Sequence, residues 1–209
     1  MNGGSDAEAV RSAELAAGRL FRTYYQHCLR SDTDTLFHAL TAMHSLNDRL
    51  RGAVRSDLHE IDEFLALKVL RNFAHHQDEF RANVRFIPMP AYSDLPVLCI
   101  VRRDQVDRAI DNVDKRWRDR SRKSCIDKFH WYGEAVNINP CLFNCMVHIY
   151  ELLMRLDVMP PENDVSSFRD SYENETESGH THFVDGRLAS RAGSLTAVLL
   201  DVAAQIAPP

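Results

Sequence analysis

The sequence predicts a mainly α-helical protein, a helical bundle with a small β-hairpin or ribbon near residues 84–102. Two observations carry this prediction. Apolar residues recur at the three- and four-residue spacing of amphipathic helices through most of the chain. One segment departs from that spacing, because Pro88 and Pro90 disfavour helix at the residues before them and residues 95–101 are rich in β-branched side chains.

Length and composition fit a single helical domain over residues 1–209. The chain is 44% hydrophobic and 26% charged, which is ordinary for a globular protein with its own core. Its five cysteines form no disulfide framework and predict reduced thiols in a cytoplasmic protein. Residues 1–6 lack the character of a signal peptide, and no apolar run approaches the length of a membrane span, so no membrane partner is expected.

Helical periodicity predicts a helical core over residues 6–80 and 104–206, on either side of the β element. The first part contains helices at about 7–30 and 34–54, followed by a third that starts near Asp57. This third helix either ends near Arg71, which places Arg71 at one end of the bundle, or continues past Arg71. Short connections favour antiparallel packing of the three helices.

The second part of the core begins with a helix at about 105–124, capped by Asp104, and an aromatic turn or short helix at 126–137. The next helix, from Cys141 to about residue 156, is apolar on most faces and should be central. The side chains expected in its core are Leu142, Phe143, Met146, Ile149 and Leu153.

The end of the chain combines an acidic segment with a final helix. Residues 162–182 are acidic and have few apolar anchors, so they predict a mobile acidic loop in which Phe168 and Tyr172 could fix one helical turn. The last predicted helix runs from about residue 186 to residue 206.

Side chains of the types that transfer protons or bind phosphate are concentrated in residues 71–76, which include Arg71, Asn72, His75 and His76. Histidine titrates near neutral pH and can act as acid or base, while arginine carries a permanent charge that fits phosphate oxygens. The pattern Arg71-Asn72-x-x-x-His76 resembles the Arg-x4–6-His signature, with a polar residue after the arginine, of the HEPN family of all-helical RNA-cleaving domains.

This resemblance implies a metal-independent endoribonuclease with RNA as its partner and with no cofactor. It implies a homodimer in which two copies of the motif face one cleft, a role in toxin–antitoxin or phage-defence biology, and a cognate antitoxin protein. The catalytic residues it implies are Arg71 and His76, with Asn72 bonded to the histidine or phosphate and His75 as the second choice. The motif tends to sit in the later helices of the family, whereas about 130 residues follow it here.

The spacing of the motif leaves the choice of histidine open. Residues four apart share one face of a straight helix, and residues five apart lie about 140° apart. Arg71 therefore shares a face with His75. His76 reaches that face only with a helix start or bulge near Asn72, or through a dimer partner.

The alternative interpretation is that residues 71–76 are a helix end with a polar surface. Arg71 would then pair with Asp78 or Glu79, and the histidines would form a solvated last turn. The corresponding function is a non-catalytic helical protein-interaction module. A metal-dependent enzyme using both histidines and distant carboxylates is a third hypothesis, and it predicts bound metal.

The basic stretch 115–123 is the candidate RNA-binding surface, with six cations and one anion. Arg116, Arg120 and Lys123 lie at positions i, i+4 and i+7 and so share one helix face. Trp117 is available for stacking on bases. The alternative is a solvated helix face paired with the acidic segment 162–177. Because the net charge is −5, any contact with RNA must come from such a local patch.

Two further groups of residues have some of the features of a metal site. Cys141, Cys145 and His148 fall at i, i+4 and i+7, but their neighbours are apolar and a fourth ligand is not evident, so they predict buried core thiols. His180 and His182 lie in the predicted loop without a clear partner. The sequence therefore predicts no metal site.

Overall fold

A computed structural model describes the backbone of residues 3–76, 82–86 and 97–186, and the side chains of residues 6–75 and 98–186. Within these ranges the chain is mainly helical, which confirms the predicted fold class. The predicted helix at 186–206 lies, from residue 187 onward, outside the described residues. No helix among the described residues is both long and apolar enough to cross a membrane.

Seven helices and four strands make up the described part of the chain. The helices are α1 (Gly3–Leu29), α2 (Thr33–Val54), α3 (Asp62–His76), α4 (Arg103–Asp111), α5 (Lys115–Lys128), α6 (Asn139–Leu156) and α7 (Glu162–Glu177). The strands are β1 (Ala82–Phe86), β2 (Val97–Arg102), β3 (His130–Tyr132) and β4 (Ala135–Asn137).

The chain divides into two compact units. Apart from the gaps given above, the first unit holds the residues up to Phe64 and those from Asn144 to Phe183. The second unit holds the residues from Leu65 to Phe143 and those that follow Phe183. The prediction of a single domain stays a prediction.

In the first unit, α1 and α2 form a helical hairpin joined by a capping box. The Asp32 carboxylate accepts a hydrogen bond from the backbone N–H of Thr35 at 2.8 Å, and the Thr35 hydroxyl accepts one from the backbone N–H of Asp32 at 3.0 Å. These two bonds satisfy donors that a helix start otherwise leaves unpaired. The buried amide of Asn47 accepts from the backbone N–H of Leu58 at 3.0 Å and so fixes the segment after α2.

The predicted mobile acidic loop 162–182 is wrong over most of its length, because α7 occupies this segment. Val165, Phe168 and Tyr172 lie at helical spacing and supply an apolar stripe. The Phe168 ring lies 5.2 Å from Phe21 and 5.4 Å from Tyr150, measured between ring centroids. The few apolar residues of this segment therefore suffice to hold a helix.

Ion pairs within α7 offset the repulsion between its carboxylates. Arg169 lies 2.6 Å from Glu162 and 3.7 Å from Glu173. On the other side of the helix, Asp164 pairs with Arg22 of α1, and a Cβ at Gly18 would overlap the Asp164 carboxylate. The helices α1 and α7 thus approach closely at a glycine.

The second unit contains a four-stranded antiparallel sheet in the order β1-β2-β4-β3. The pairing of β1 with β2 confirms the hairpin predicted near residues 84–102. The turn predicted in the aromatic segment 126–137 is present at residues 133–134, but it joins two strands, β3 and β4, whose hairpin the sequence did not predict. Gly133 occupies its turn at φ +62°, a conformation that favours glycine. The sequence signal is weak because each strand is three residues long.

The single helix predicted at 105–124 is wrong, because two helices, α4 and α5, replace it. The break falls at residues 112–114, where the Asp114 carboxylate accepts from the backbone N–H of Arg116 at 2.9 Å and so caps α5. The predicted cap Asp104 instead lies inside α4 and accepts from Arg102 Nε at 2.7 Å.

The apolar helix α6 is buried along most of its length, as predicted. Leu142, Met146, Ile149 and Leu153 are fully buried, whereas Phe143 is half-exposed and so departs from the prediction.

Candidate functional site

The motif stretch lies in the last two turns of α3. Asp62 and Glu63 occupy the first turn of this helix, where a carboxylate interacts favourably with the helix dipole. The buried face of α3 carries Phe64, Ala66, Leu67, Val69, Leu70 and Phe73. Arg71 is half-buried at the margin of this face, and His75 is exposed one turn further on. The packing of α3 therefore directs Arg71 and His75 toward its solvent side.

The helix is continuous through the motif. It runs from Asp62 to His76 without the helix start or bulge that the sequence allowed near Asn72. Regular geometry therefore pairs Arg71 with His75 and sets position 76 about 140° away from position 71 around the axis. The side chain of His76 lies outside the described residues, as do Asp78 and Glu79, the alternative partners of Arg71.

The Arg71 guanidinium is held by its neighbour in sequence. Its Nη1 donates to Asn72 Oδ1 at 3.2 Å. Its Nε is buried and has no hydrogen-bond acceptor within the part of the chain that the structure describes. Asn72 thus contacts the arginine, while the sequence predicted a contact with either the histidine or phosphate.

Two contacts show which side of α3 faces α4 and α5. The Arg108 guanidinium of α4 lies 5.3 Å from the centre of the Phe73 ring, and Cys125 Sγ of α5 lies 3.9 Å from the carbonyl oxygen of Ala66. Ala66 and Phe73 are seven residues apart, so they share one face of the helix. Arg71 and His75 are rotated from Ala66 by about 140° and 180°. The helices α4 and α5 therefore pack on the side of α3 away from Arg71 and His75.

Arg108 is an exposed cation one turn from the end of α4, and its contact with α3 could not be read from the sequence. A cation over an aromatic ring is attracted by the ring's negative face. The only sequence signal is the amphipathic pattern of α4, which marks Arg108 as polar without identifying Phe73 as its neighbour.

The predicted RNA-binding side chains of α5 are all exposed: Arg116, Trp117, Arg120 and Lys123. The Arg116 guanidinium lies 5.4 Å from the centre of the Trp117 ring. Lys123 Nζ lies 2.5 Å from Asp127 Oδ2. This ion pair lies within α5. The alternative interpretation of the basic stretch predicted pairing with the acidic segment 162–177 instead.

Cys141 and Cys145 have the spacing of metal ligands with His148, but their burial determines their chemistry. Cys141 and Cys145 are fully buried, as predicted. Burial, and then the charge of Glu63, raise the pKa of the Cys145 thiol well above its ordinary value, so the thiolate that a metal requires is disfavoured. His148 Nε2 instead lies 3.7 Å from Glu63 Oε2, and its ring packs 4.6 Å from Phe183.

The histidine His182 is engaged by the end of α7. Its Nδ1 lies 2.8 Å from Glu175 Oε2, and its ring stacks 3.6 Å from Tyr172. Within residues 6–75 and 98–186 there is no cluster of three or more histidine, cysteine, aspartate or glutamate side chains that could hold a metal ion. The absence of a metal and a cofactor stays a prediction for the whole chain.

Comparison of the chain with protein-family models, with curated proteins and with solved structures gives no match. The resemblance to the HEPN signature therefore rests on the sequence of residues 71–76 alone.

Proposed function

We propose that the chain is a metal-independent endoribonuclease of the HEPN type that acts as a homodimer. The observation that supports this proposal is the arrangement of Arg71 and His75, one turn apart on the solvent side of α3, with Asn72 hydrogen-bonded to the guanidinium. A fixed cation and an imidazole on one open face are the two kinds of group that RNA transesterification needs.

The reaction needs no group beyond those that histidine and arginine supply. A base removes the proton of the RNA 2′-hydroxyl, and the resulting oxygen attacks the adjacent phosphorus. The bond to the 5′ oxygen breaks, and an acid protonates that oxygen, leaving a 2′,3′-cyclic phosphate and a 5′-hydroxyl. Histidine suits both proton transfers, and Arg71 stabilises the negative charge on the phosphorane oxygens.

A second copy of the chain completes this chemistry. Base and acid act on opposite sides of the phosphorus, whereas the regular α3 helix aligns one imidazole, that of His75, with Arg71. Two copies with their α3 faces opposed bring two imidazoles and two guanidiniums to one cleft. Position 76 lies about 140° around α3 from position 71, so within this proposal His76 serves only if the partner copy approaches from that side.

The test is incubation of the pure protein with total RNA in EDTA. We expect cleavage products that end in 2′,3′-cyclic phosphate, and we expect Arg71→Ala to abolish their formation. Lys68→Ala is the matched control, because it removes a cation from the solvent side of α3 about one turn earlier. Cleavage that requires added metal, or equal loss in the control, would contradict the proposal.

The biological context proposed from the same resemblance is toxin–antitoxin or phage defence. An active ribonuclease of this kind should slow the growth of cells that express it, while Arg71→Ala should not. A cognate antitoxin protein is expected to relieve the growth defect by binding the wild-type chain.

A second candidate is a non-catalytic protein-interaction module. The exposure of His75 favours it, because this is the arrangement expected of a surface motif. Under this hypothesis the pure protein leaves RNA intact at every protein concentration, and Arg71→Ala changes the binding of a protein partner.

A further inference from the structure

We propose that the solvent face of α5 is a binding surface for single-stranded RNA that works independently of Arg71 and His75. The choice of RNA rests on the proposed function, whereas the surface itself rests on the charge, exposure and direction of the α5 side chains.

The solvent face of α5 is strongly cationic within an acidic protein. Its exposed cations are Lys115, Arg116, Arg120, Arg122 and Lys123, and its exposed carboxylates are Asp119 and Asp127. The five cations and two anions of α5 sum to +3, and Asp111 of α4, which pairs with Arg122, reduces the local charge to +2, in a chain whose net charge is −5. A local field of this sign attracts a polyanion that the protein as a whole would repel.

The cations in the middle of this face form a line that the phosphate backbone of a nucleic acid can follow. Arg116, Arg120 and Lys123 follow one line along the helix and cover about 10 Å of its length. Lys123 also contacts Asp127, which lowers its contribution to the field. Arg122 forms an ion pair with Asp111 of α4, with 2.9 Å between Nη2 and Oδ1.

An aromatic side chain stands beside this line of cations. Trp117 is 51% exposed, which is unusual for the largest apolar side chain, and the Arg116 guanidinium lies over its ring. A tryptophan next to arginines offers a base a surface for stacking while the cations hold the phosphates. A duplex buries its base faces, so this combination selects single strands.

The aromatic also favours RNA over an acidic protein segment. Acidic side chains would pair with the arginines and lysines but would gain little from an exposed indole ring. The flat base of a nucleotide uses both features at once.

The direction of the face separates it from the motif. Cys125, through which α5 contacts α3, lies about 180° around the helix from Arg116. The same contact falls on the side of α3 away from Arg71 and His75. The two surfaces of the second unit therefore point in different directions, so one can be altered without the other.

The test is a titration of the full chain with a fluorescein-labelled oligouridylate of about 20 nucleotides, in EDTA, with Arg71→Ala as the background so that the strand stays intact. Replacing Arg116, Arg120 and Lys123 with glutamine should weaken binding and lower the slope of log K against log salt by about 2. The matched control replaces three exposed cations, Arg11 and Arg19 of α1 and Arg30 directly after it, and should leave the slope unchanged.

Stacking is tested separately through tryptophan fluorescence. The chain has two tryptophans, so Trp131→Phe leaves Trp117 as the single reporter. Oligouridylate should quench its emission, and Trp117→Ala should weaken binding by roughly 5- to 150-fold while Trp117→Phe retains most of it. The same oligonucleotide annealed to its complement should bind much more weakly.

Three results would overturn the inference. The first is an unchanged salt slope in the α5 variant, and the second is unquenched Trp117 emission at saturating oligouridylate. The third is a preference for an acidic peptide such as polyglutamate over RNA, which would replace the ligand. Binding without any cleavage by the wild-type chain would reject the proposed function while supporting this surface, so the two failures are distinguishable.

Discussion

The solvent sides of α3 and α5 differ in how their candidate functional side chains are held. On α3, Arg71 is half-buried at the edge of a continuous apolar face and is hydrogen-bonded to Asn72. On α5, Arg116, Arg120 and Lys123 are exposed, and the helix packs on the core through small buried side chains such as Ser121, Ser124 and Cys125. A group set by core packing suits chemistry, which requires fixed geometry. Groups on an open helix suit electrostatic binding, which tolerates movement.

The largest expected effect concerns the two histidines of α3. His75→Ala should reduce RNA cleavage by about 10²- to 10⁴-fold, the contribution typical of acid–base catalysis, because regular helix geometry pairs His75 with Arg71. His76→Ala should act less strongly unless the partner copy uses that side of the helix. His38→Ala, on the exposed side of α2, controls for the loss of a histidine.

Subunit mixing sharpens this prediction. Mixing the inactive Arg71→Ala and His75→Ala proteins should restore part of the activity if the site is shared between copies. Activity that never recovers, in a mixture shown to exchange subunits, would confine the site to one chain.

The next largest effect separates the core face of α3 from the open face of α5. Leu70 is fully buried, so Leu70→Ala should lower the free energy of unfolding by about 2–5 kcal/mol. Trp117→Ala removes a larger but exposed side chain and should change it by less than about 0.5 kcal/mol. Urea titration measures both. Equal losses would mean that α5 is held by its tryptophan rather than by its buried side chains.

A third prediction uses His27 as the buried counterpart of His75. His27 is 2% exposed and bonds the Thr35 hydroxyl at 3.0 Å. Burial lowers its pKa, and the nearby Asp32 carboxylate opposes this in part. Since the unfolded chain binds a proton more readily, stability is full above the unfolded pKa, near 6.5, and falls as the pH drops toward the lower folded pKa.

His27→Gln should therefore flatten the acid side of the stability profile, measured as unfolding midpoint against pH. His38→Gln, an exposed histidine of α2, is the control and should leave the profile unchanged. An acid limb that persists unaltered in His27→Gln would assign the pH dependence to other groups.

The smallest expected effect concerns the ion pair on the solvent face of α5. The Lys123 and Asp127 side chains are 76% and 44% exposed, and such pairs contribute about 0–1 kcal/mol. Lys123→Gln should barely change the unfolding midpoint, whereas Asp127→Asn should strengthen oligouridylate binding by removing a competing charge. A large loss of stability in either variant would show that this face is structural.

The spacing of apolar residues predicted the helices with long apolar stripes, and prolines with β-branched residues predicted the first β-hairpin. Prediction failed for elements in which few residues show such a pattern. In α7, Phe168 and Tyr172 anchor the helix by packing against aromatic side chains of α1 and α6. In β3 and β4, strands of three residues show no period, and they are held by the sheet, in which β4 pairs with β2 and β3 pairs with β4.

The motif illustrates the same division. The sequence by itself determined which residues carry chemistry, and that Arg71 shares a helical face with His75 if the helix is regular, because side-chain type and helix period are local properties. Only the tertiary structure decided that α3 continues through Asn72, and that α5 packs on the other side of it. Those outcomes depend on which apolar faces meet, and distant segments of the chain supply them.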